Sequence, residues 1–183
     1  MKPKVSAGIM GVVMAASAAA MNPSAEAMPP KETDVIVNLG DSITDGFTYG
    51  QIIMQALKEA GKPVPAIICS GIGGNTAKQM AARADKTVFA YNPQIVTFSA
   101  GTNDALHGVP PKEYEAALLE IAAKAKAKGI QMILLTPCVI LSENGKTAEE
   151  KKANAKKTDE MLDCYEWIIR KVAKENGFLV AEN

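Results

Sequence analysis

The sequence predicts an α/β domain built on a doubly wound, five-stranded parallel sheet. Short apolar, β-branched runs alternate along the chain with longer segments of helical periodicity. The apolar runs are nearly continuous, as expected of strands covered on both faces. Gly61, Gly129 and Gly177 each stand between the end of a helical segment and the next strand-like run. Strand–helix alternation of this regularity implies parallel strands joined by right-handed crossovers.

The first 27 residues stand apart from that pattern. Lys2 and Lys4 precede an alanine-rich run from Val5 to Met21, and Ala25-Glu26-Ala27 places small residues where a signal peptidase reads. The run falls short of the roughly 20 strongly apolar residues of a membrane span. Residues 1–27 are therefore expected to be a cleaved export signal, 28–33 a linker containing Pro29 and Pro30, and 34–183 the domain. A secreted or periplasmic location follows, with no integral membrane segment left after cleavage. Cleavage would remove Lys2, Lys4 and Glu26 from totals of 20 basic and 20 acidic residues, leaving 18 and 19 and a formal charge of −1. That balance gives no basic field for nucleic acid or anionic lipid.

Asp34 to Leu39 reads as the first strand and ends in Gly40-Asp41-Ser42. Tyr49, Ile52, Ile53, Ala56, Leu57 and Ala60 then recur at helical spacing. Pro65 to Cys69 is the second strand and runs into the glycine-rich turn Ser70-Gly-Ile-Gly-Gly74-Asn75-Thr76, which opens a weaker helix to about Ala84. Ile95 to Ser99 is the third strand, followed by Gly101-Thr-Asn103-Asp104. Pro110 and Pro111 start a helix whose buried face is Tyr114, Ala117, Leu118, Ile121 and Ala122. Gln131 to Pro137 is the fourth strand. Thr147 and Glu150 form a capping box ahead of a long helix with a buried stripe of Met161, Tyr165, Ile168, Ile169 and Val172. Phe178 to Ala181 is the fifth strand. A doubly wound domain normally carries one more helix on the face beside the first helix. Without it the chain as written is expected to be poorly soluble or only partly folded.

Cys69, Cys138 and Cys164 permit one disulfide in an oxidising compartment and leave one thiol over. Cys69 and Cys138 end apolar runs, which favours buried, unpaired thiols. None has a histidine beside it in sequence, so no metal site is indicated.

Ligands of open α/β sheets bind just beyond the carboxyl ends of the strands. Ser42 at such an end is presented at a rim, where a serine can act as a nucleophile. Backbone N–H groups at Ser42 and Gly74 could face one cavity, and glycine at 74 lets the backbone approach a ligand closely. The side-chain amide of Asn103 could add a further donor. Asp41 and Asp104 are expected to accept backbone N–H groups in turns or caps, and Asn75 and Thr76 to cap the second helix. A phosphate cradle at Gly71 to Gly74 is disfavoured. The dinucleotide fingerprint belongs in the turn after the first strand, which here holds Asp-Ser.

These residues carry a resemblance. Gly40-Asp41-Ser42, Gly74 within Gly-Gly-Asn-Thr, and Gly101-Thr-Asn103-Asp104 resemble three of the four blocks of the SGNH, or GDSL, hydrolase family. The resemblance spans nearly all of the chain after the export signal and implies a flavodoxin-like three-layer sandwich. It further implies no cofactor, and ester hydrolysis through an acyl-serine intermediate on acetyl groups of carbohydrates or acyl chains of lipids and thioesters. Export, the short turn after Ser42 and the lack of a long apolar insert lean the expected substrate, a small-molecule or carbohydrate ester, toward carbohydrate esters. Ser42, Gly74 and Asn103 take the catalytic positions by this resemblance. The family's fourth block, Asp-x-x-His, has no counterpart in this chain. Its only histidine, His107, is expected to be a surface loop residue. A truncated gene product is the favoured account of the missing block. The rival is a non-catalytic carbohydrate-binding domain that keeps the cleft without a base. Weak or absent ester turnover is expected of the chain as written.

Overall fold

The computed structural model describes residues 29–138 and 145–182. The expected export signal, residue 28 of the linker and Asn183 lie outside them. Five parallel strands form one sheet: β1 (Val35–Gly40), β2 (Ala66–Gly71), β3 (Ile95–Ser99), β4 (Gln131–Leu135) and β5 (Leu179–Ala181). Their order is β2-β1-β3-β4-β5. The chain moves outward from β1 to β2 and then returns past β1 to β3. The crevice of the fold therefore opens between the carboxyl ends of β1 and β3.

Helices cover both faces. On one side α3 (Ala77–Thr87), α5 (Pro111–Ala127) and α6 (Ala148–Asn176) pack in sequence, α3 against α5 and α5 against α6. Their buried faces close over Val37, Leu39, Val96, Phe98, Met132 and Leu134, which point to that side by strand alternation. Tyr114, Leu118 and Ile121 of α5 and Tyr165, Ile169 and Val172 of α6 complete this core, with the Tyr114 and Tyr165 rings stacked at 4.3 Å. The alternate strand residues face the other way and are more polar, among them Asn38, Thr97 and Ser99. That side holds α2 (Thr48–Glu59), which contacts β2.

The caps follow the sequence. Thr147 accepts from Glu150 N–H at 3.1 Å while the Glu150 carboxylate accepts from Thr147 N–H at 3.2 Å, closing the expected box at the start of α6. Gly177 ends that helix at φ +71°, the left-handed conformation that glycine adopts without a Cβ penalty.

Three short elements are additions to the sequence reading. They are α1 (Ser42–Asp45), α4 (Thr102–Leu106) and a 3₁₀ turn at Phe89–Tyr91. Single helical turns bury too few apolar residues to show a period. The thiol expectation also needs correction. All three cysteines are unpaired, but Cys69 and Cys138 are half-buried and Cys164 is exposed. Cys69 lies on the polar side of β2, under α1, where its Sγ sits 3.0 Å from the Thr44 carbonyl.

The position of α1 is set by two glycines. Gly40 and Gly71 are register partners across β1 and β2. A Cβ on Gly40 would lie 1.9 Å from Thr44 Oγ1, and one on Gly71 would lie 2.1 Å from the Asp45 backbone nitrogen. The turn carrying Ser42 occupies the volume two side chains would otherwise fill. Gly71→Ala collides with backbone, which cannot rotate away. It is expected to lower stability by about 1–3 kcal/mol, read as a depressed midpoint of thermal unfolding. An unchanged midpoint would show that α1 is not seated on this pair.

Candidate active site

The three predicted residues meet at one end of the sheet. Ser42 opens α1 at the end of β1, and its side chain is exposed. Gly74 lies in the turn between β2 and α3, and Asn103 in α4 just beyond β3. The turn after β2 comes close to the serine, since a Cβ on Gly73 would lie 3.8 Å from Ser42 Cβ. Asp45 of α1 reaches across to accept from Gly73 N–H at 3.3 Å. Gly74 itself adopts φ +80° with open space where a side chain would be. Among the described residues nothing accepts from its N–H. This turn needs glycine at 74 for its conformation and leaves a donor unused one residue along from Gly73.

Asn103 binds the three turns together. Its Nδ2 donates to Asp41 Oδ2 at 3.2 Å and to the Asn75 carbonyl at 3.1 Å. Asp41 is 2% exposed, and its other oxygen accepts from Ile43 N–H at 3.0 Å, which caps α1. Burial pushes the Asp41 carboxyl above its ordinary range, partly offset by the Ile43 hydrogen bond. Asp104, the next residue along α4, is fully buried and accepts from Ala77 N–H with both oxygens at 3.1 Å. It thus caps α3 from outside that helix, a position that favours negative charge. The turn and cap roles expected for Asp41 and Asp104 are those seen. At Thr76 the N–H is satisfied by Gln79 Oε1 at 2.9 Å, as a capping position requires.

His107 ends α4 and is exposed, in keeping with a surface role. Among the described residues neither an imidazole nor a carboxylate hydrogen-bonds Ser42 Oγ, and no cluster of potential metal ligands is present.

Several neighbours were not legible in the sequence. Cys138 follows β4, where burial and the nearby Asp41 charge push its thiol up; its carbonyl accepts from Thr102 Oγ1 at 3.4 Å. Below α1 a polar chain runs from Thr44 Oγ1 to Tyr49 Oη to Thr97 Oγ1 to Asn38 Oδ1, at 3.4, 3.2 and 3.0 Å. Asn38 Nδ2 has no acceptor among the described residues. Arg83 lies behind the Asn75 turn. The signal available for it was composition, because Arg83 and Arg170 are the only arginines among 20 basic residues.

A model of the GDSL-like lipase/acylhydrolase family matches residues 39–182, and the chain belongs to that family. It is 27% identical over 109 residues to an arylesterase of Vibrio mimicus, a match covering 56% of this chain and 54% of that protein. It is 26% identical over 104 residues to thioesterase 1/protease 1/lysophospholipase L1 of Escherichia coli K12, covering 56% and 50%. The match thus spans about half the length of each of these curated relatives. Among solved structures, the acetyl xylan esterase AlAXEase superposes with a TM-score of 0.67 at 25% identity, covering 81% of this chain and 76% of that one. Among the described residues no helix is long and apolar enough to cross a membrane.

The buried carboxyl of Asp104 generates a prediction about pH. Desolvation pushes its pKa from 3.8 up to about 6, against the pull of the Ala77 hydrogen bond. Between those values the folded chain holds a proton that the unfolded chain has released. The contribution of Asp104 to stability is therefore largest below pH 4 and falls, by about 3 kcal/mol at most, as pH rises past 6. Asp104→Asn removes this titration. Relative to the parent, the variant should be least stable near pH 4 and recover toward pH 7, by parallel thermal unfolding. A stability difference independent of pH would contradict the raised value.

Proposed function

We propose that this protein is a serine ester hydrolase working through an acyl-serine intermediate. The observation that carries the reading is the convergence of an exposed Ser42 with the unused Gly74 N–H and the Asn103 amide. In this mechanism Ser42 Oγ attacks the ester carbonyl, and its proton passes to a base. The carbonyl oxygen, now an anion, receives hydrogen bonds from Gly74 N–H and Asn103 Nδ2. Asn103 already spends its two N–H bonds on Asp41 and the Asn75 carbonyl. The developing charge must therefore compete for one of them, which makes this donor matter more in the transition state than in the substrate complex. Collapse of the intermediate expels the alcohol, and water then hydrolyses the acyl-serine. Family membership supports the reaction class. The likeness to a protein named an acetyl xylan esterase supports small acyl groups on carbohydrate as substrate. An exported protein with residues 1–27 removed fits a polymer substrate outside the cell.

One observation favours a second reading, a carbohydrate-binding domain without catalysis: Ser42 Oγ lacks a bonded base among the described residues. Kinetics of the full-length gene product on p-nitrophenyl acetate and acetylated xylo-oligosaccharides separate the two. Ser42→Ala should reduce kcat by at least about 10³-fold. Asn103→Ala should reduce it by about 10²–10³-fold with a smaller change in KM. Glycan binding without turnover, unaffected by Ser42→Ala, would overturn the enzyme reading.

A further inference from the structure

Arg83 projects from α3 into the wall behind the Asn75 turn, and every one of its five N–H donors is placed. Nε donates to Asn75 Oδ1 at 2.8 Å. Nη1 donates to Ser70 Oγ at 2.7 Å and to Thr87 Oγ1 at 3.0 Å. Nη2 donates to the carbonyls of Gly40 at 3.0 Å and Ser70 at 2.8 Å. One planar group thus grips the last residue of β1, the end of β2 and the side chain of the turn that carries Gly74. All five acceptors are neutral. Among the described residues no carboxylate forms an ion pair with this half-buried guanidinium. Burial lowers its pKa from the ordinary arginine value, against the opposing pull of the nearby Asp45 carboxylate.

A surface ion pair cannot account for such an arrangement, and helix propensity does not require it. Lysine has about the same propensity and is otherwise the basic residue of this chain, in which Arg170 is the sole other arginine. What lysine lacks is the rigid fork that reaches several acceptors in one plane. The acceptors are also informative. Asn75 is gripped by its side chain, while its carbonyl holds the Asn103 amide. The Gly40 carbonyl directly precedes Asp41 and Ser42.

We propose that Arg83 is a positioning residue for the oxyanion donors. It fixes the Asn75 turn relative to the end of β1, and through the Asn75 carbonyl it fixes Asn103 Nδ2. Gly74 N–H is held in the same turn. The role rests on Ser42 being the nucleophile. Arg83 touches no reacting atom and acts through the Asn75 turn.

The test uses the full-length protein and an alkyl fluorophosphonate, which phosphonylates an activated serine through an anionic transition state without requiring turnover. The rate constant at saturation and the half-saturating concentration are measured for the parent, Arg83→Gln, Arg83→Lys, Asn75→Ala and Arg83→Gln/Asn75→Ala, with labelling at Ser42 confirmed by mass spectrometry. Arg83→Gln and Asn75→Ala should each lower the saturating rate by about 10–100-fold with little change in half-saturation. The double variant should lose no more than the more damaged single variant, because both act through one contact. Arg83→Lys should rescue little of the rate. Unchanged rates, additive losses, or full activity in Arg83→Lys would each overturn the positioning role while leaving Ser42 in place as nucleophile. Should Arg83→Gln fail to fold, Asn75→Ala decides alone, since an unchanged rate there overturns the role. A parent protein unlabelled at Ser42 overturns the nucleophile reading, and this proposal with it.

Discussion

The arrangement depends on a steric vacancy. Two strands end side by side in glycine, Gly40 on β1 and Gly71 on β2, and α1 descends into the space their side chains would take, with the Thr44 side chain over Gly40 and the Thr44–Asp45 backbone over Gly71. A Cβ on Gly71 would lift α1 away from the sheet, and one on Gly40 would displace the Thr44 side chain that holds the turn there. Ser42 stands at the first position of that turn, so its height above the sheet follows from the absence of two methyl groups. The same seat brings Asp45 within reach of Gly73 N–H. The turn after β2 is thereby drawn against the turn after β1.

On that seat the polar groups divide into two kinds. Asp41 and Asp104 are buried carboxylates whose oxygens hold neighbouring elements: α1 through Ile43, α4 through Asn103, and α3 through Ala77. Both carboxyls are raised by burial, so each carries its negative charge at a cost. They are joints between turns. Gly74 N–H, without an acceptor among the described residues, and the Asn103 amide are the other kind, the donors that the proposed mechanism assigns to the oxyanion. The guanidinium of Arg83 is bonded only to neutral oxygens, behind the Asn75 turn.

Much of this was readable from residues. Each of the five strands was placed within one or two residues, because apolar β-branched runs bounded by glycine have few other uses. The α5 stripe from Tyr114 to Ala122 is buried throughout, and Met161 alone among the named α6 positions is only partly covered. Ser42, Gly74 and Asn103 do meet at one end of the sheet. What escaped was of three sorts. Helices of four or five residues such as α1 and α4 leave no periodic signature. The half-burial of Cys69 reflects which sheet face its thiol meets, and Cys138 lies three residues past the end of β4; an apolar run specifies neither. The bonds of Asn103, Asn75 and Arg83 join residues far apart in sequence, so their partners become known only when β1, β2 and β3 lie side by side.

The central claim is that Ser42 faces a cradle formed by Gly74 N–H and the Asn103 amide. Its most direct test is a crystal structure of the full-length protein carrying a phosphonate on its reactive serine. The account predicts the adduct on Ser42 Oγ. One phosphonyl oxygen should lie within hydrogen-bond distance of both Gly74 N and Asn103 Nδ2. An adduct on another residue, or a phosphonyl oxygen turned to solvent with both donors unengaged, would contradict it.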